Sequence, residues 1–171
     1  DGGLYAPWDQ DDLIATKIAE LERADRHRAP LVLEGGSIHA DGEGTLITTR
    51  ECLLNPNRNP ALTQERIEEH LRAFLGVRTI VWVDRGVYED ETDGHVDNIL
   101  HLVAPGVVAL TWTDDEADPQ HAISAAALAV LRGARDARGR EFDVRLLPAP
   151  GPLFTTAEEA AGVVAVPGTQ P

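Results

Sequence analysis

The chain contains no methionine, one cysteine (Cys52) and few aromatic residues, 5% of the total. A lone thiol excludes an internal disulfide framework and any thiolate-rich zinc site. Basic residues are also scarce. Fifteen Lys and Arg stand against 29 Asp and Glu, a formal charge of −14, which disfavours nucleic acid phosphates and anionic membrane surfaces as partners. Attraction of a cationic small molecule explains such a surface, and so does plain solubility. No apolar run approaches the ~20 residues that cross a bilayer, and the N-terminus lacks the basic-then-apolar pattern of a signal peptide. The expectation is a soluble, cytoplasmic protein. The missing methionine and the abrupt Gly168-Thr-Gln-Pro171 end add the expectation of an excerpt from a longer chain.

What is present is enough for one ordinary domain with a core: 171 residues, 43% of them hydrophobic. Asp9-Gln-Asp-Asp12 precedes Leu13, Ile14, Ile18 and Leu21, a spacing that predicts a helix over about 10–24 with acids at its N-terminal end. After the short apolar run Leu31-Val-Leu33 and Gly35-Gly36, residues 37–40 and 45–49 flank Asp41-Gly-Glu-Gly44 as a β-hairpin. Cys52-Leu-Leu54 extends a strand-like stretch into Asn55-Pro-Asn-Arg-Asn-Pro60, a turn-rich loop. Thr63 caps a helix carrying Ile67, Leu71 and Phe74 that stops at Gly76, and Thr79–Val83 reads as a strand.

The same order then returns. Apolar runs over 96–104 and 107–113 are joined by Pro105-Gly106, a helix over 120–131 follows Pro119, and 142–147 is a strand. Matching the segment 34–41 to the region of 93–97 gives an offset of roughly sixty residues, the mark of a repeated supersecondary unit. Each unit is ββαβ and cannot cover its own faces. Two of them with a leading helix suggest adjacent wedges of a ring, with at least one further unit. No domain boundary separates them, and the tail over 155–171 reads as loop or weak helix.

Two stretches carry the chemistry. In Asp93-Gly-His-Val-Asp-Asn98, entry into a strand would put His95 and Asp97 on one face, where a carboxylate keeps a histidine able to pass protons near neutral pH. Three readings stay open on spacing alone: a structural histidine or polar turn, a catalytic pair, or a metal site formed with His39 and Asp41 from the earlier copy. Asp41 before Gly42 also suits a hairpin turn. Glu34 leaves an apolar run just before two glycines, so it is either an exposed turn residue or a carboxylate poised where backbone can approach a ligand. Cys52 has Glu51 beside it and no evident base, the setting of a buried small hydrophobe and not of an activated thiolate. Arg58 either organises its loop or binds carboxylates. Trp8, Trp82 and Trp112 read as packing residues.

The segments LEGGSIHADGEGT (33–45), ECLLNPNRNP (51–60), DGHVDN (93–98) and Pro105-Gly-Val-Val108 resemble the agmatine deiminases of the bacterial-type peptidylarginine deiminase family, within the guanidino-group-modifying superfamily. Gly3-Leu-Tyr5, Pro7-Trp8, Thr111-Trp-Thr-Asp-Asp115 and Asp118-Pro-Gln120 extend the likeness over nearly the whole chain. The resemblance implies an α/β pentein-type propeller of five ββαβ units, of which residues 1–171 would be a single-domain portion with about two full units. It implies hydrolysis at a guanidinium carbon without metal or organic cofactor: agmatine and water to N-carbamoylputrescine and ammonia, in putrescine biosynthesis. A peptidylarginine substrate is the nearest alternative. By the same resemblance His95 is the acid/base, Asp97 grips the guanidinium nitrogens, and Glu34 orients the histidine or touches the guanidinium. The implied partner is a small guanidinium cation, neither nucleic acid nor membrane, and a homo-oligomer is compatible with it. The family's nucleophilic cysteine, in a Gly-rich His-Cys segment near the C-terminus, and a substrate-binding Asp from an N-terminal segment have no counterpart here. Cys52 aligns with a non-catalytic stretch. The 171 residues alone are therefore expected to be inactive. The rival classes are a metal-dependent hydrolase using His39, Asp41, His95 and Asp97, and a non-catalytic propeller fragment.

Overall fold

A computed structural model describes Pro7, residues 9–150, Thr156 and Glu158. Gly3-Leu-Tyr5, Trp8 and, apart from Thr156 and Glu158, the expected tail over 155–171 lie outside the described residues. A 3-10 turn at Asp11–Leu13 leads into α1 (Ile14–Glu22), so the helix expected over 10–24 starts as a tighter turn. Its apolar face (Leu13, Ile14, Ile18, Leu21) is exposed.

Two three-stranded sheets follow, each with the strand order of the chain. In the first, β1 (Ile38–Ala40) pairs antiparallel with β2 (Thr45–Thr49), and β2 pairs in parallel with β3 (Thr79–Val83). In the second, β4 (Leu100–Ala104) pairs antiparallel with β5 (Val107–Trp112), and β5 in parallel with β6 (Asp143–Pro148). Each parallel pair needs a long crossover. That is provided by α2 (Arg50–Leu53) with α3 (Gln64–Leu75) in the first unit and by α5 (Pro119–Gly133) in the second. The repeated ββαβ order read from the sequence is thus present, in a mixed α/β fold.

The crossover helices form where their caps dictate. The Thr63 side chain accepts the Arg66 N–H at 3.4 Å, and Gly76 takes the left-handed conformation (φ 68°) that ends α3. Asp118 accepts the Gln120 N–H at 2.8 Å ahead of Pro119, whose missing N–H costs nothing in a first turn. Ile67 and Leu71 of α3 are buried while Phe74 is 45% exposed.

Alternation along the first sheet assigns each side chain to one of two cores. Leu46 and Trp82 join Ile67 and Leu71 of α3 on one face, with Cys52 and Leu53 of α2. Ile47, Val81 and Val83 face the other way, into a cluster with Leu100, Val108 and Leu110 of the second sheet and Ile123, Leu128 and Leu131 of α5. The second unit therefore covers the face that the first unit's own helices leave bare. Trp82 and Trp112 pack as expected, their indole N–H groups donating to Glu68 (2.9 Å) and Asp114 (2.8 Å). No helix among the described residues is long and apolar enough to cross a membrane.

Two local expectations are corrected. Residues 94–98 do not enter a strand: His95 precedes a one-turn helix, α4 (Val96–Ile99), and β4 begins only at Leu100. Polar side chains win that stretch for a turn, since Asn98 Nδ2 donates to Asp90 at 3.2 Å and Thr92 Oγ1 lies 3.3 Å from the His95 N–H. Cys52 lies in α2 and not in a strand, because Thr49 Oγ1 accepts the Cys52 N–H at 3.1 Å and caps a helical turn. The run Leu31-Val-Leu33 forms no strand. The Asn59 side chain supplies the bonds that a neighbouring strand would give, accepting from Val32 N at 2.9 Å and donating to Val32 O at 3.0 Å.

Candidate active site

Glu34 ends the irregular segment before β1 in an extended conformation (φ −91°, ψ 150°) and opens a 3-10 turn, Gly35–Ser37. Its carbonyl accepts from Ser37 N (3.1 Å) and Ser37 Oγ (2.6 Å), which fixes the turn. The turn lies against α4 because Gly36 has no side chain. A Cβ there would stand 2.5 Å from His95 Nδ1 and 2.8 Å from Asp97 Oδ2, inside any real contact distance. His95 and Asp97 thus converge on one glycine through a helical turn, although the strand geometry expected for them is absent. Thr49 anchors the loop from below: its hydroxyl, fully buried, donates to Gly94 O at 2.5 Å.

His95 Nε2 lies 3.3 Å from Glu34 Oε1 without meeting hydrogen-bond geometry. On its other side Glu34 is held by Arg58, whose side chain is 2% exposed. Arg58 Nε donates to Glu34 Oε2, and Nη2 donates to Glu34 Oε1 at 3.2 Å and to Thr92 O at 2.6 Å. Asp93 stands 3.8 Å from Arg58 Nη1 and accepts from Asn57 Nδ2 at 2.8 Å. Burial pushes the Glu34 carboxyl upward, but hydrogen bonds and positive charge around it, Arg58 first among them, outweigh burial and bring its pKa down to about 2. Glu34 is therefore a permanent anion near neutrality. The arrangement gathers two carboxylates and an imidazole at one turn, with the charge and hydrogen-bonding capacity to hold a planar cation and move its protons.

The sequence matches the model of the Porphyromonas-type peptidyl-arginine deiminase family over residues 2–165. The chain belongs to this family. It is 60% identical over 171 residues to an agmatine deiminase of Pseudomonas putida, a match covering 99% of this chain and 46% of that protein. A putative agmatine deiminase of Pectobacterium atrosepticum is 59% identical, with 95% and 44% covered. Among solved structures, the agmatine deiminase of Enterococcus faecalis superposes with a TM-score of 0.84 at 44% identity, over 90% of this chain and 42% of that one. A cysteine-to-serine variant of the C. jejuni agmatine deiminase with substrate bound gives 0.79 at 28% identity, over 91% and 45%. The chain spans about half the length of the relatives it matches.

In this family member the remaining candidates separate. His39, Asp41, His95 and Asp97 do not come together as one ligand set. Asp41 shapes the hairpin turn, accepting from Glu43 N (2.7 Å) and Thr45 N (2.9 Å). His39 Nε2 meets His101 Nδ1 at 3.1 Å, and its Nδ1 accepts the Leu102 N–H at 3.4 Å. The two histidines are 62 residues apart and each is the second residue of its sheet's first strand. His39 is thus the repeat mate of His101, not of His95, which corrects the sequence pairing of the two His-x-Asp strings. Among the described residues, the one group of three metal-ligating side chains with mutually close donor atoms is Glu34, Cys52 and His95, within 4.8 Å of one another.

Cys52 is fully buried, and burial pushes its thiol up to about 11 against the pull of Arg58. It is protonated at neutral pH, as its sequence setting suggests. Two features escaped the sequence. Arg58 could equally have served its own loop, because nothing local ties it to a glutamate 24 residues away. Gly36 gave a signal only as half of a glycine pair.

Proposed function

We propose that the chain is part of an agmatine deiminase, converting agmatine and water to N-carbamoylputrescine and ammonia. The observation that carries the reading is the convergence of Glu34, His95 and Asp97 at the Gly36 turn. The 60% identity to an agmatine deiminase supports it. In the reaction, Asp97 and Glu34 accept hydrogen bonds from the guanidinium nitrogens and hold its plane. A cysteine thiolate from outside this chain attacks the guanidinium carbon, and His95 protonates the departing nitrogen, which leaves as ammonia. His95 then takes a proton from water as it attacks the thiouronium adduct, and the C–S bond breaks to give the urea product and regenerate the thiolate. Arg58 keeps Glu34 ionised throughout. No step calls on a metal or an organic cofactor.

On this reading the two sheets are neighbouring wedges of a five-unit pentein propeller, and residues 1–171 are one portion of its single domain. On this reading the protein works in the cytoplasm. The description of the matching family favours a second reading, deimination of peptidyl-arginine. Ammonia release by the full-length protein, assayed with agmatine and with an arginyl peptide, tests both. Release from agmatine alone supports the first reading and release from the peptide alone the second; no release from either contradicts both. The isolated 171 residues should release none.

A further inference from the structure

Cys52 has no part in the reaction proposed above, yet its donor atom, one from Glu34 and one from His95 lie within 4.8 Å of one another. We infer that Glu34, Cys52 and His95 form a site for a soft divalent cation of the zinc class, and that an ion bound there blocks the enzyme. The blocking part of the inference rests on the proposed function; the binding part does not.

The donor set is the kind zinc prefers: one thiolate, one imidazole and one carboxylate, with a fourth position left for water. Bond lengths of about 2.0–2.3 Å around a tetrahedral ion put ligand atoms about 3.3–3.8 Å apart. The 3.3 Å between His95 Nε2 and Glu34 Oε1 already fits, and the rest of the group needs only a modest contraction. His95 Nε2 is buried and makes no hydrogen bond among the described residues, so in the Nδ1–H tautomer its lone pair is available to a metal. Glu34 can keep Oε2 on Arg58 Nε while Oε1 exchanges its 3.2 Å bond from Arg58 Nη2 for the ion. Cys52 would give up its thiol proton to solvent as the S–metal bond forms, since a coordinating thiol is deprotonated. Binding a dication and losing one proton adds one positive charge locally. Asp97 at the Gly36 turn and Asp93 beside Arg58 offset it.

Such an ion is an inhibitor and not a cofactor. It occupies the His95 nitrogen and the Glu34 oxygen that the proposed chemistry needs, while Cys52 lies behind them in the core. Sensitivity to zinc therefore depends on a residue the turnover does not use.

The test is a titration of the metal-free, full-length protein with Co2+ and with Zn2+. Cobalt should produce a thiolate charge-transfer absorption, and calorimetry should count one zinc per chain. Outer-shell partners of a metal are worth about 10–100-fold in affinity, so Cys52→Ala, which deletes a ligand, should weaken zinc binding at least tenfold and abolish that absorption. Should Cys52→Ala not fold, Cys52→Val refills the buried space and is read the same way. An absorption and affinity unchanged in the variant, or no binding by the native protein, overturns the site. Zinc should also stop ammonia release in the native enzyme at concentrations that spare the Cys52 variant. If both are stopped equally, the inhibitory role is wrong. If agmatine proves not to be the substrate, the cobalt signal still decides the site.

Discussion

Arg58 reaches from the asparagine-rich loop to embrace Glu34, its Nε on Oε2 and its Nη2 on Oε1 at 3.2 Å, and with the same Nη2 it holds Thr92 O at 2.6 Å. One guanidinium thus joins the Glu-Gly-Gly turn to the loop that delivers His95. It ties the two sequence motifs together alongside the direct approach of His95 to Glu34.

Removing that link should be costly. Arg58→Met takes the guanidinium away from Glu34, and breaking a buried pair from one side costs roughly 3–5 kcal/mol. Because Glu34 is partly exposed, we predict about 3 kcal/mol, read from urea unfolding. Arg58→Lys keeps the charge but loses the fork, and should fall between the two. Equal stability of Arg58→Met and the native protein would show that the clamp contributes little.

Gly36 and Gly35 provide a contrast within one turn. An alanine Cβ at 36 collides with His95 and Asp97, whereas at 35 it meets nothing within 4 Å. Gly36→Ala should move the His95 imidazole resonance and, in the full-length enzyme, lower kcat by about 100-fold, the scale of an ångström of misplacement. Gly35→Ala should leave stability and the His95 resonance unchanged. Indistinguishable spectra for the two variants would contradict the close approach at Gly36.

Glu34 predicts an acid limb of the stability curve. Its folded pKa of about 2 lies below the ordinary value of 4.5. Its contribution is therefore fully present above about pH 4.5 and is lost as pH falls toward 2. Allowing for solvent around a partly exposed carboxylate, the loss is on the order of 2 kcal/mol. Glu34→Gln should flatten this part of the curve between pH 5 and 2, as followed by urea midpoints. A variant that tracks the native slope would remove Glu34 as its source.

Cys52 should be inert. With its thiol pushed up to about 11, roughly one molecule in a thousand carries the thiolate at pH 8, and the side chain is fully buried. Alkylation of the folded chain by iodoacetamide at pH 8 should be negligible, and rapid once the chain is unfolded. Fast labelling of the native chain would overturn this assignment.

Much of the fold was legible because its signals are local. Thr63 and Gly76 mark the two ends of a helix by the bonds and backbone conformation that each makes possible, and Asp41 before Gly42 marks a turn in the same way. The β-branched alternation of Thr79–Val83 suits a strand packed on both faces. The stretch 94–98 was misread because an alternating apolar and polar pattern over five residues also fits one helical turn. Bonds from Asn98 and the His95 N–H to Asp90 and Thr92 decide between them. Long-range pairings left no local trace: Asn59 standing in for a strand beside Val32, Arg58 on Glu34, and His39 against His101. The candidate site was half legible. Its acids and histidine came from motif likeness, while their convergence depends on a bare Cα at Gly36, which only the folded chain reveals.

The most direct test of the account is ammonia release from agmatine by the full-length protein carrying His95→Ala. A positioned acid/base is worth about 100–10,000-fold, so the variant should lose at least 99% of kcat while unfolding at the same urea concentration as the native protein. A folded His95→Ala enzyme that keeps most of its activity would contradict the proton-carrying role on which the proposed chemistry turns.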